Sequence, residues 1–287
     1  MEKGYSTDLI GDEAVRLIRS RERGKPLFLY VAFNAPHTPL QAPAKVVESY
    51  REIADKDRRT FAAMVTRMDE AVGRILTAID GEGIGDNTLV LFFSDNGGPT
   101  QNAACNTPFR GGKRTCFEGG IRVPAVMRWP ARIQRAARTR QVTTVMDLLP
   151  TLAAVAGASP RNRLPLDGKN LWPALSSGRV EPREDLYFGS GSDSKFMYAI
   201  FHHEWKLVRE ISRRDQSARS YLFRIDEDPE ERNDLVAEHP DVVKDLAARI
   251  DKWRALYPAD GIIDPKKTAP PGEHAPKLWS EAARRES

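Results

Sequence analysis

The chain has 287 residues, 40% of them hydrophobic and 29% charged, with 44 basic against 40 acidic side chains for a net charge of +4. That apolar share is enough for a sizeable core and excludes a disordered chain, and so small a net charge argues against binding driven by bulk charge. No stretch approaches the ~20 apolar residues needed to span a bilayer, and no basic–aromatic interleaving points to nucleic acid.

The opening residues, MEKGYSTDLIGDEAV, contain no apolar leader segment, so an export signal is not expected in the chain as written and the compartment stays open. Residues 8–23 place Ile10, Ala14, Leu17 and Ile18 at helical spacing. Leu27–Phe33 (LFLYVAF) is a continuous apolar run between Pro26 and Pro36 and predicts a buried strand. Residues 57–80 carry one apolar stripe, Phe61, Met64, Met68, Val72, Ile75 and Ile79, and predict the best helix in the chain. Leu89–Phe93 predicts a second buried strand, and Ile121–Trp129 a third, with Pro124 suiting a strand start or edge. A helix over about 145–156 has Pro150 near its first turn and Gly157 at its end.

This order predicts an α/β fold in which a sheet is covered by helices, although three strands are few for such a sheet. The chain divides into a sheet-and-helix region at 1–157, a surface linker at 158–184, a small subdomain at 185–257 and a Pro-rich tail at 258–287. Within the small subdomain, Phe196–His203, Trp205–Arg209 and Tyr221–Ile225 predict a small antiparallel sheet, and residues 240–256 an amphipathic helix.

Three segments could carry chemistry. The second strand ends in Ser94-Asp95-Asn96-Gly97-Gly98, where an Asp–Asn pair offers the hard oxygens that Ca²⁺ and Mg²⁺ select, though Asn-Gly is also an ordinary turn. The first strand ends in Asn34-Ala35-Pro36-His37-Thr38-Pro39, with His37 stiffened by proline on both sides; a solvated loop histidine is the plainer alternative. Lys113 in Arg110-Gly111-Gly112-Lys113-Arg114 is placed to meet an anionic oxygen, or else belongs to a flexible basic loop; the spacing is not that of a phosphate-binding P-loop. Arg132, Arg135, Arg138 and Arg140 form the densest basic cluster, best read as a solvated loop. Cys105 and Cys116 have no His/Asn partner pattern and are expected to be structural or incidental, too few for a disulfide framework.

Taken in order, NAPHTPLQAP, AAMVTRMDEAVGRIL, NTLVLFFSDNGGP, PFRGGKRTCFEGGIRVPAVMRWP, VMDLLPTLAAVAG…PLDGKNLWPAL and YLFRIDEDPEERNDLVAEHPD resemble the type I sulfatases of the alkaline-phosphatase-like superfamily over roughly residues 4–257. The resemblance implies an alkaline-phosphatase-like sheet, here incomplete, followed by a small antiparallel sheet plus helix. It implies a sulfuric ester hydrolase acting on a sulfated small molecule or glycan. By the same resemblance Asp95 and Asn96 are ligands of a divalent cation, normally Ca²⁺. His37 contacts the sulfate, and Lys113 binds it and can protonate the departing alcohol.

The chain also departs from the family pattern. The family's nucleophile is a formylglycine made from the cysteine of a C-x-P-S-R motif, which these residues do not contain; Cys105-Asn106-Thr107-Pro108 has its proline one position late and lacks the serine. The family's paired aspartates and its second Lys/His pair have no counterpart either. The expectation is a chain that holds calcium weakly and is inactive alone, with an N-terminal segment as its missing partner. The alternatives are a phosphonate or phosphate ester hydrolase of the same superfamily, or a non-catalytic relic that binds sulfated ligands.

Overall fold

The structure, a computed structural model, describes residues 4–256 apart from 102, 160–164, 184 and 193; the predicted Pro-rich tail lies outside the described residues. Helix α1 (Ser6–Arg19) packs on the long helix α3 (Lys56–Gly81), with the short helix α2 (Ala44–Glu48) between them in sequence and also against α3. Asp55 caps α3, its carboxylate accepting from the Arg58 amide at 2.6 Å. Gly11 lets the two helices close up, since a Cβ there would stand 2.8 Å from that of Ala71. The seam is laced by Arg67–Asp8 at 2.5 Å and Arg74–Asp12 at 3.2 Å. Ile18, Ala78 and Ile79 are buried in it, with Ile75, Leu29 and Val90 packed around them.

Strand β1 (Val90–Phe93) pairs antiparallel with β2 (Ala125–Arg128), which begins just after Pro124. The reading of Ile121–Trp129 as one strand is too long at its start: Glu118–Ile121 is a short helix, α4. The expected buried strand at Leu27–Phe33 is corrected more fully. The segment belongs to no sheet among the described residues, and Leu27, Phe28 and Tyr30 are 45%, 80% and 74% exposed. A strand needs a ladder partner as well as apolar side chains. Among the described residues β1 is hydrogen-bonded only to β2, and Leu29 alone of this group joins the helical core cluster.

After a 3₁₀ turn at Val145–Asp147 come α5 (Leu148–Val155), ending before Gly157 at φ +67°, and α6 (Trp172–Ser177). The predicted surface linker is pinned rather than draped. Buried Asp147 accepts from the Lys169 amide at 2.9 Å and from Arg183 at 2.7 and 3.1 Å, while closing a capping box with Thr144. Leu171 and Ala174 are buried beneath it.

The second sheet has the order β3 (Leu186–Gly191), β4 (Lys195–His202), β5 (Trp205–Ser212) and β6 (Ala218–Arg224), all antiparallel. Helix α7 (Pro240–Arg254) covers one face, setting Leu246 and Ile250 on Ile200, Leu207 and Leu222, with Trp253 stacked on Tyr187 at 5.1 Å. The other face sets Met197, Ala199, Val208, Tyr221 and Phe223 on Cys116 and Phe117, from the loop before α4. A sheet covered on both faces explains why these strands are apolar along most of their length. No helix among the described residues is long and apolar enough to cross a membrane.

Candidate functional site

The turn after β1 and the glycine-rich loop before α4 are sewn together by backbone. The Lys113 amide donates to the Gly98 carbonyl at 3.2 Å, and the Gly97 amide to Gly120 at 2.9 Å. Asn106 clamps both: its Oδ1 accepts from the Gly98 amide at 2.9 Å, and its Nδ2 donates to Gly98 O at 2.8 Å and Gly111 O at 3.2 Å. Such close approach requires glycine. A Cβ on Gly97 would overlap the Gly119 carbonyl, and one on Gly112 would lie 2.7 Å from the Gly98 oxygen. Sequence reasoning missed Asn106, whose only signal was a polar residue in a long glycine-rich loop. Asn106→Ala is expected to leave the sheets intact and raise hydrogen exchange at the Gly98 and Lys113 amides at least tenfold, at a cost of about 1–2 kcal/mol.

Asp95 is exposed and Asn96 half-buried, and no hydrogen bond or ion pair engages either side chain among the described residues. They fit a hard cation in kind, as unpartnered oxygen donors. They do not fill its shell of ~6–8 oxygens, and no group of three or more His, Cys, Asp or Glu suited to a metal occurs among the described residues. Lys113 is half-buried, and its ammonium likewise has no acidic partner among the described residues. His37 is exposed. Its Nδ1 lies 2.8 Å from the Thr38 carbonyl, which can only accept, so Nδ1 carries the proton and Nε2 is left to face outward chemistry. No hydrogen bond ties the His37 loop to the other two segments among the described residues, although Leu29 upstream of it and Val90 of β1 share one apolar cluster.

Behind the sewn loops lies a group of buried charges that the sequence reading did not single out. Lys206 of β5 is fully buried and sits 2.7 Å from both Glu118 Oε1 and Glu231 Oε1. Glu231 Oε2 also accepts from the Glu118 amide at 2.7 Å. The next amide, Gly119, donates to the Arg110 carbonyl at 2.7 Å, so the second sheet holds the Lys113 loop from behind. Beside it, burial pushes the Cys116 thiol up to about 12, which leaves it an inert core residue. Cys105 is exposed, its thiol drawn below the ordinary range by hydrogen bonds from the Thr107 hydroxyl and amide.

A family model described as Sulfatase matches residues 2–158, and one described as N-sulphoglucosamine sulphohydrolase, C-terminal, matches residues 111–255. Arylsulfatase J of Mus musculus is 29% identical over 95% of this chain and 50% of its own length. N-acetylgalactosamine-6-sulfatase of Homo sapiens is 35% identical over 63% of the chain and 34% of its own length. Among solved structures, Ps i-CgsB in complex with k-i-k-neocarrahexaose aligns with a TM-score of 0.80 at 35% identity, over 88% of this chain and 55% of that one. The chain thus spans half or less of the length of these curated relatives.

Proposed function

This chain belongs to the sulfatase family, the type I branch of the alkaline-phosphatase-like superfamily, and from that premise we propose that it is the sulfate-holding and leaving-group half of a sulfuric ester hydrolase. The observation that carries this reading is the sewn pair of loops, whose bonds tie the Lys113 backbone to the turn that follows Asp95 and Asn96, while no acidic side chain pairs with Lys113 among the described residues. In sulfate ester cleavage, negative charge builds on the sulfate oxygens and on the departing ester oxygen. Lys113 stabilises that charge and passes a proton to the alcohol, and His37, oriented through Nδ1–H on the Thr38 carbonyl, donates to a sulfate oxygen through Nε2–H in its imidazolium form. Asp95 and Asn96 would hold a Ca²⁺ ion, which when bound supplies a further positive charge to the sulfate oxygens.

The 287 residues alone are expected to show no turnover of an aryl sulfate, for want of a nucleophile segment. Clear turnover that Lys113→Ala abolishes would show that the chain needs no such segment. Calorimetric titration with Ca²⁺ is expected to give a Kd on the order of 10⁻⁴–10⁻³ M, lost in Asp95→Ala and Asn96→Ala. A Kd unchanged in both variants would remove Asp95 and Asn96 from the metal site.

A further inference from the structure

Both loops of the candidate site rest on one short stretch of backbone, Glu118-Gly119-Gly120. The Gly119 amide closes the neck of the Lys113 loop on the Arg110 carbonyl at 2.7 Å, and the Gly120 carbonyl accepts from the Gly97 amide, just after Asp95 and Asn96, at 2.9 Å. Neither contact leaves room for a side chain. A Cβ on Gly120 would stand 2.3 Å from the Thr115 carbonyl oxygen and 2.5 Å from that of Gly112, and one on Gly119 2.6 Å from that of Arg110. Within the loop, the Thr115 amide and hydroxyl both donate to the Gly112 carbonyl, at 3.0 and 2.7 Å, so the turn that carries Lys113 has little slack of its own. The place of Glu118–Gly120 therefore sets the place of both loops.

That stretch has few bonds of its own. Helix α4 is four residues long, and the Glu118 amide, at its start, has no acceptor within the helix. The donor is met from outside, by Glu231 Oε2 at 2.7 Å. Glu231 is presented at φ +58° by the turn after β6, where the Asp228 carboxylate accepts from the Arg232 and Asn233 amides at 3.1 and 2.8 Å. Its other oxygen lies 2.7 Å from the ammonium of Lys206, which stands opposite Phe223 on the sheet face that packs on Cys116 and Phe117. Both side chains of this ion pair are fully buried. With no water to take the place of the carboxylate, a Glu118 amide deprived of it is left unpaired, and the backbone must shift to satisfy it.

We propose that Glu231 is a positioning residue for the site: through one buried amide it sets Glu118–Gly120, and with that stretch both the Lys113 loop and the Asp95–Asn96 turn. The roles of Lys113, Asp95 and Asn96 come from the sulfatase reading above; the link from Glu231 to their loops is independent of it.

Two variants of the 287-residue chain with equal charge separate the acceptor oxygen from the ion pair. Lys206→Met with Glu231→Gln keeps an oxygen for the Glu118 amide, and Lys206→Met with Glu231→Leu removes it. Hydrogen exchange at the Gly97 and Gly119 amides is taken relative to Ile200 and Leu207 of β4 and β5, which report general loss of stability. That ratio is expected to stay within about twofold of the unmodified chain in the Gln variant and to rise about tenfold in the Leu variant. Glu231→Ala alone should give the same rise, and it serves if the double variants do not fold. Calorimetric titration with Ca²⁺ reads the consequence for the site, with affinity expected to fall about tenfold from the Gln to the Leu variant. Equal exchange ratios in the two variants would overturn the link, and unequal ratios with equal Ca²⁺ affinity would reduce Glu231 to a structural residue. An unmodified chain that binds no Ca²⁺ would remove Asp95 and Asn96 from the metal reading, while the exchange ratios still decide Glu231.

Discussion

Replacing Lys206 with methionine is expected to destabilise the folded chain by about 3–5 kcal/mol, because it strands Glu118 and Glu231 as buried carboxylates with no cation between them. Methionine nearly keeps the volume, so lost packing contributes little to the effect. Adding Glu231→Gln to Lys206→Met should recover much of the loss, since Glu118 is then the one carboxylate of the group that remains, and it retains Arg122 at 3.2 Å. Urea unfolding followed by tryptophan fluorescence measures both; equal midpoints for the single and double variants would show that charge is not the cause.

The same group of charges sets a pH dependence. Glu231 is held above the ordinary carboxylate range: burial raises it, and that outweighs the opposing pull of Lys206. The groups facing it are Lys206 from β5, Glu118 at the start of α4 and the Cys116 thiol. A raised folded value means that its contribution is fully present below the unfolded carboxyl value and is lost as pH rises through the folded one. Stability from this site therefore falls on going from acid toward neutral pH, and Glu231→Gln should flatten that part of the urea-midpoint profile. A slope unchanged in Glu231→Gln would assign the dependence to another group.

Lys113→Ala is expected to lower kcat on an aryl sulfate about 10²–10³-fold, in an enzyme reconstituted by joining this chain behind a formylglycine-bearing segment of an arylsulfatase. The reason is that its charge acts where negative charge develops, so the loss should fall on kcat more than on KM. Esters with better leaving groups should suffer less, because they need the proton less. A uniform loss across leaving groups would assign Lys113 to sulfate binding alone. Fold is not at issue in this variant, since the tie from Lys113 to Gly98 is made by its backbone amide.

What could be read in advance depended on how local the cause was. The stripe from Phe61 to Ile79 declares α3 unaided, because every third or fourth residue turns to the same side. β3 was invisible: Gly189-Ser190-Gly191 reads as turn, and it is a strand only because β4 pairs with it, with Gly189 leaving room for the Trp253 ring, which would lie 3.4 Å from a Cβ there. The site divided in the same way. Lys113 and the Asp95–Asn96 pair stand in compact motifs, whereas Lys206 meets Glu118 across 88 positions and Glu118 meets Glu231 across 113. Nothing in local spacing marks a lysine as the buried partner of two such distant acids. Leu27–Phe33 failed in the opposite direction, for its composition promised burial that only a neighbouring strand could have supplied.

That segment governs how the molecule behaves in the test tube. Phe28 and Tyr30 are largely exposed, and Phe92 and Val126, cross-strand partners on one side of the β1–β2 ribbon, are open to solvent as well. Apolar contact between copies weakens on cooling and is not screened by added salt. Preparations should therefore clump more when warm and concentrated than when cold and dilute, and sulfate salts, which strengthen apolar association, should make it worse. Light scattering against temperature in chloride and in sulfate would record this, and it bears directly on the choice of counter-ion for any experiment in which sulfate is also the ligand.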